Sequence, residues 1–101
     1  MKKQAVVIHK LDNVATCVEH FTAGTTISFF LGGSEEQVVL RQDIPLGHKV
    51  AIRTIAKNED VLKYAESIGV ATIDIQPGQH VHVHNLESKR GRGDLEQGKE
   101  E

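Results

Sequence analysis

Tryptophan is absent from this sequence, and tyrosine and cysteine occur once each, as Tyr64 and Cys17. With only three phenylalanines beside them, the core has to be built from aliphatic side chains. A single cysteine excludes an intramolecular disulfide and fits a reducing compartment. No basic residue adjoins Cys17, which therefore reads as a small buried apolar side chain and not as a nucleophile. Neither sign of charge dominates: 12 Lys and Arg stand against 14 Asp and Glu. That balance lacks the basic footprint of binding to nucleic acid or to an acidic membrane surface. Ala5-Val6-Val7-Ile8, which follows Met1-Lys2-Lys3, is far too short for a signal peptide or a membrane span, so a soluble cytoplasmic protein is expected. Phosphate loops, dinucleotide fingerprints, paired-cysteine sites and Ser-centred nucleophile elbows are missing too. Nothing in the chain makes a self-sufficient enzyme.

The 101 residues suffice for one domain with one core. Short extended segments separated by turn signals are predicted at Ala5–His9, Val14–Val18, Thr26–Leu31 and Gln37–Leu40. No long helical period interrupts them, so the expected fold is mostly β, a compact domain of short strands. From Glu87 onward the chain carries alternating charge and one large apolar residue, Leu95. Such a segment cannot bury enough surface to offset its ordering entropy. The expected organisation is a domain over 1–88 and a charged, flexible tail over 89–101. In that tail Arg90 and Arg92 are able to clamp carboxylates or phosphates on a partner.

A spacing of apolar-x-x-Gly-x-x-apolar recurs at Phe21/Gly24/Ile27, Ile44/Gly47/Val50 and Ile75/Gly78/Val81, with Asn in place of Gly at Ile55/Asn58/Val61. Gly and Asn enter left-handed backbone conformations cheaply, and Pro45 and Pro77 pre-set the turn ahead of two of them. Each copy is predicted to be a tight corner feeding a strand. The copies are irregularly spaced, which argues for one fold reusing a corner and against a solenoid. Over 59–67 two readings stay open. Asn58, the acids after it and Val61, Ala65 and Ile68 suit a short helix ending at Gly69. The corner position of Asn58 suits a strand from Val61.

The densest chemistry lies in Gly78-Gln79-His80-Val81-His82-Val83-His84-Asn85-Leu86. Valine and histidine alternate with the two-residue period of a half-buried strand, valines inward and imidazoles outward. In a straight strand the outer two histidines stand about 13 Å apart, so only one His-x-His pair can converge on a ligand. His82 and His84 are the predicted pair, as metal ligands or as hydrogen-bonding groups for substrate. No second His or Cys cluster completes a tetrahedral site, so other ligands must come from carboxylates, substrate or a partner chain. Gly47-His48-Lys49 follows a Pro-x-Gly corner and offers an imidazole and an amine at a strand entry, suited to carboxylate binding or acid–base work. Tyr64 is able to brace the core edge or donate its hydroxyl. His9 and His20 stand alone and read as surface residues.

Several blocks together resemble one family. Asp12-Asn13-Val14-Ala15, Asp43-Ile44-Pro45-Leu46-Gly47-His48-Lys49-Val50-Ala51, Lys63-Tyr64 with Ile68-Gly69-x-Ala71-Thr72, the His80–Asn85 segment and Arg90-Gly91-Arg92-Gly93-Asp94 are similar to the N-terminal module of the altronate/galactarate dehydratase family. The blocks keep the family's order from about Val6 to Leu95. Ala65 departs from the pattern, since a Gly commonly follows the Tyr. The resemblance implies a SAF-type β-clip fold of short bent strands with at most one or two short helices. It implies a lyase that removes water from a hexonate or related sugar acid to give a 2-keto-3-deoxy acid. It also implies a divalent metal, Fe²⁺ or Mn²⁺, held mainly by a large subunit that carries most of the active site. The chain ends just past the module and looks like the small subunit of a split enzyme, inactive alone. By the same carry-over His48, Lys49, Tyr64, His82, His84 and Asn85 line the face that meets the large subunit, with His82 and His84 as metal contacts. The small subunit of sulfolactate sulfo-lyase and a non-catalytic SAF module for binding or regulation are the alternatives. Exposed strand edges also make self-association an expectation.

Overall fold

Four corners organise the chain. In the computed structural model, which describes residues 4–88, Gly24, Gly47, Asn58 and Gly78 take left-handed backbone angles with φ of 89°, 82°, 74° and 92°. These are the four positions singled out by the recurring spacing. Each corner amide donates to a distant carbonyl: Gly24 to Leu40, Gly47 to Cys17, Asn58 to Ala71 and Gly78 to Ala51, at 2.7–2.9 Å. The corners come in two related pairs. Phe21 bridges Ile44, and Ile55 bridges Ile75. Asp43 accepts the Ala23 amide at 2.8 Å, and Asp74 accepts the Lys57 amide at the same 2.8 Å. Residues 21–50 and 55–81 therefore repeat one plan, and the echo in the sequence is its trace.

The described residues form nine strands: β1 (Ala5–Val6), β2 (Val14–Cys17), β3 (Thr26–Leu31), β4 (Ser34–Val39), β5 (Lys49–Ala51), β6 (Asp60–Lys63), β7 (Glu66–Ala71), β8 (His80–Val81) and β9 (Leu86–Ser88). A central antiparallel sheet has the order β1-β2-β5-β8, flanked by the β3-β4 hairpin and by a three-stranded β6-β7-β9 sheet. Neighbouring residues of a strand face opposite ways, and the central sheet uses both faces. Ala15 pairs with Val50, and both join Ile27, Phe29, Val38 and Ile44 in one buried cluster. Val14 pairs with Ala51, and both join Ile55, Val61, Ala71, Ile75 and Val81 in a second cluster. The expected single core is thus two aliphatic layers, one on each side of the sheet.

The predicted β fold of short strands holds, and no helix occurs among the described residues. The open question over 59–67 resolves as a hairpin. Val61 is buried in the second cluster, while Ala65, which a helix would have turned inward, is exposed. Tyr64 and Ala65 form its two-residue turn with φ of 57° and 62°, the left-handed pair that suits the twist of a tight hairpin. Gly32-Gly33 does the same between β3 and β4. β1 is shorter than predicted. β4 starts earlier than predicted because Glu35 and Glu36 continue the ladder opposite Phe30 and Phe29. The charged segment 89–101, with Arg90 and Arg92, lies outside the described residues.

Candidate functional site

The histidine segment is extended only at its start. β8 covers His80 and Val81, and the chain then turns. Asn85 holds that turn: its Oδ1 accepts the His82 amide at 3.0 Å, its Nδ2 donates to the His80 carbonyl at 2.8 Å, and its own amide donates to the His82 carbonyl at 3.1 Å. The expected alternation breaks accordingly. Val81 is buried, whereas Val83 sits at the turn with 82% of its surface exposed.

Strand register then selects which histidines meet. Val50 of β5 pairs with His80 and Lys49 with Val81. One step further along the same antiparallel ladder sets His48 opposite His82, on the face that carries His80. The three rings stack accordingly. Centroids of His48 and His82 lie 4.3 Å apart, those of His48 and His80 5.0 Å, and those of His80 and His82 5.6 Å. His48 Nδ1 and His80 Nε2 are 2.8 Å apart, a hydrogen bond in which one ring donates and the other accepts. A ligand nitrogen from each of the three rings lies within 4.8 Å of the others, and His48 and His80 are half-buried. His84 is set aside from that group, its ring tilted 38° against His80 at 5.2 Å. Burial holds the His80 imidazole below its ordinary pKa, and the neighbouring His48, His84 and His82 push the same way. His80 is therefore kept neutral, with a lone pair to offer.

Lys49 and Tyr64 sit elsewhere. Lys49 follows His48 and pairs with Thr16, so its side chain leaves the opposite face of the sheet. That face bounds an open pocket of about 220 Å³ with apolar walls from Val6, Val14 and Val18 and with Thr16, Asp12, Lys63 and Tyr64 at its polar side. The Lys63 ammonium stands 4.9 Å from the centroid of the Tyr64 ring. Burial lowers the Lys49 pKa, and the Lys63 charge lowers it further.

The six residues expected on one face are thus divided. His48 and His82 come together, and His84 stands beside them. Lys49 and Tyr64 belong to the far side, and Asn85 is an internal brace, buried and fully engaged in its turn. The converging donors are His48, His80 and His82, a group that includes one member of the expected His82/His84 pair. His80 was legible in the two-residue period, which couples it to His82 as readily as His84. Choosing between the two required knowing where β8 stops. Asp12 stood out in the sequence only as part of the Asp12-Asn13-Val14-Ala15 block, with nothing there to mark its buried role. Its buried carboxylate accepts the amides of His9, Tyr64 and Ala65, the last two supplied by a hairpin far along the chain.

As a donor set, three imidazoles with no carboxylate among them suit a late first-row divalent ion. The pocket across the sheet has one amine at its rim, a second close by, and apolar walls. It is chemically a place for an acidic or apolar group and not for a metal ion.

The sequence profile of the altronate/galactarate dehydratase SAF domain matches residues 3–89. The chain is 43% identical over 94 residues to the altronate dehydratase of Escherichia coli (strain K12), a match covering 93% of this chain and 18% of that protein. It is 38% identical over 88 residues to (2R)-sulfolactate sulfo-lyase subunit alpha of Chromohalobacter salexigens, covering 83% of this chain and 94% of that subunit. With the altronate dehydratase of Bacillus subtilis (strain 168) it shares 37% identity over 86 residues, 85% of this chain and 16% of that protein. The chain thus spans less than a fifth of the altronate dehydratases it resembles.

Proposed function

The chain belongs to the altronate/galactarate dehydratase SAF-domain family, and on that premise we propose that it is the small subunit of a two-chain sugar-acid dehydratase, lending its imidazole face to an active site that a larger chain completes. The observation that carries this reading is the convergence of His48, His80 and His82 at one end of the central sheet. Cys17, the other nucleophile worth weighing, is buried with its thiol pushed up to about 11, and so supplies no thiolate near neutral pH. A name such as subunit alpha, borne by the sulfo-lyase relative, supports a multi-chain arrangement.

Elimination of water from a sugar acid removes the proton next to the carboxylate and releases the hydroxyl one carbon further on as water. The resulting enol ketonises to the 2-keto-3-deoxy acid. The reaction needs a base for the proton, a group that stabilises the enolate and an acid for the departing hydroxyl. A divalent ion, Fe²⁺ or Mn²⁺, would supply Lewis acidity to the carboxylate and enolate, held mainly by the large chain with His82 and its neighbours adding ligands. His48 and His82 would hydrogen-bond substrate oxygens, and the 2.8 Å contact between His48 Nδ1 and His80 Nε2 orients the His48 ring. Lys49 and Tyr64, across the sheet, have no part in that contact.

A second reading is favoured by one finding: the match to sulfolactate sulfo-lyase subunit alpha runs over 94% of that subunit. There the leaving group is sulfite in place of hydroxide, and the same enol chemistry applies. The test is to co-express the chain with a large dehydratase chain and assay aldonates, aldarates and sulfolactate for keto acid and for sulfite. Keto acid from a sugar acid, formed only when both chains are present, is the expected result. Sulfite release selects the second reading, and turnover that is unchanged without this chain overturns both.

A further inference from the structure

We infer that His48, His80 and His82 form a three-imidazole binding site for a divalent late transition ion, such as Zn²⁺, Co²⁺ or Ni²⁺, that this chain fills without a second polypeptide. The inference goes beyond the subunit reading and shares with it only these histidines. An ion bound by imidazoles at about 2.1 Å keeps its ligand nitrogens roughly 3.4 Å apart. The donor atoms here already lie within 4.8 Å of one another, with one pair at 2.8 Å. Small ring rotations bring all three onto one ion, and the hydrogen bond between His48 and His80 is exchanged for two coordinate bonds.

The site differs from a flexible run of histidines in being assembled across two strands. His48 comes from the corner that leads into β5, and the backbone of His80 is pinned on both sides: its amide donates to Gln42 Oε1 at 2.8 Å and its carbonyl accepts from Asn85 at 2.8 Å. Asn85 fixes the His82 amide as well. Two of the three ligands thus have their backbones set before an ion arrives, which lowers the ordering cost of binding. No carboxylate belongs to the group. An all-nitrogen set favours later ions in the first-row series and disfavours Mg²⁺ and Ca²⁺, which take oxygen ligands. The half-exposed rings leave the remaining positions of the ion open to an oxygen ligand from solvent, substrate or a partner chain.

The test uses the untagged full chain, stripped with chelator and titrated with Co²⁺ by visible absorption and with Zn²⁺ by calorimetry. One ion per chain is expected, with no heat from Mg²⁺ or Ca²⁺ beyond dilution. His48→Gln and His82→Gln should lose the Co²⁺ spectrum while keeping the wild-type circular dichroism, and His84→Gln, His9→Gln and His20→Gln should retain it. Absence of binding overturns the inference. So does binding that survives His48→Gln but not His84→Gln, since that pattern belongs to the local His-x-His segment. No partner or substrate is in the cell, so a negative result leaves the subunit reading standing, and a failed activity assay leaves this one untouched.

Discussion

Asp12 accepts the backbone amide of Tyr64 at 3.1 Å through the same carboxylate oxygen that accepts the amide of His9. Its other oxygen takes the Ala65 amide at 2.8 Å. One buried side chain therefore ties the β6–β7 turn to the loop ahead of β2, and three donors depend on it. Asp12→Ala leaves them without an acceptor and should lower stability by roughly 3 kcal/mol in urea unfolding. Asp12→Asn should cost nearly as much, because either amide orientation turns an NH₂ toward an N–H that needs an acceptor. An Asn variant as stable as the wild type would show that the carboxylate is not what holds the turn.

The turn that Asp12 holds is itself strained. Ala65 sits at φ 62° with its side chain exposed, so its methyl group pays a left-handed penalty and packs against little in return. Glycine removes a penalty of roughly 1–2 kcal/mol and gives back about 0.4–1 kcal/mol through the freer unfolded chain. Ala65→Gly should therefore raise the melting temperature by a few degrees. A lower melting temperature would mean that the methyl has a partner in the folded state.

These two residues also mark what a reader of the sequence can and cannot see. The corners at Gly24, Gly47, Asn58 and Gly78 were legible because a left-handed turn needs particular residue types at a fixed offset from buried positions. The hairpin at Tyr64 and Ala65 was not, because neither residue advertises positive φ. The bond that stabilises the pair comes from Asp12, whose relation to Tyr64 exists only in the folded chain. The candidate site divides along the same line. Period-two alternation placed His80, His82 and His84 on one face of a strand. It was blind to the turn that Asn85 makes after Val81 and to the ladder that brings in His48. Alternation also parts His48 from Lys49, two adjacent residues that read as one motif until the sheet sends them to opposite faces.

Not every corner glycine is equivalent. At Gly47 a Cβ would meet nothing within 4 Å, so Gly47→Ala should cost only the left-handed penalty of roughly 1–2 kcal/mol. At Gly78 the same Cβ would collide with the Val39 carbonyl oxygen and crowd the Arg41 side chain. That close approach lets the Arg41 amide donate to the Gly78 carbonyl at 2.8 Å and the Arg41 guanidinium to Pro77 at 3.0 Å. Gly78→Ala should therefore be clearly the worse of the two, by roughly 2 kcal/mol or more in urea midpoint analysis. Equal losses would mean that the approach of Val39 to the corner is dispensable.

Cys17 gives the domain a dependence on alkaline pH. Burial raises its thiol from 9.0 to about 11 in the folded chain, so the unfolded chain releases this proton first. Between those values the folded state binds more protons than the unfolded state, and stability falls as pH rises. The contribution is complete below pH 9 and is lost as pH climbs through the folded value. Lys49, whose pKa is lowered, works in the opposite direction, but it is present in wild type and in Cys17→Ala alike. The stability difference between these two proteins should therefore shift in favour of the variant from pH 8.5 to pH 11, in steps of urea unfolding at each pH. At pH 8 the wild-type thiol should resist iodoacetamide until denaturant is added. Parallel pH curves together with rapid labelling of the folded protein would place Cys17 at the surface and remove the basis of both expectations.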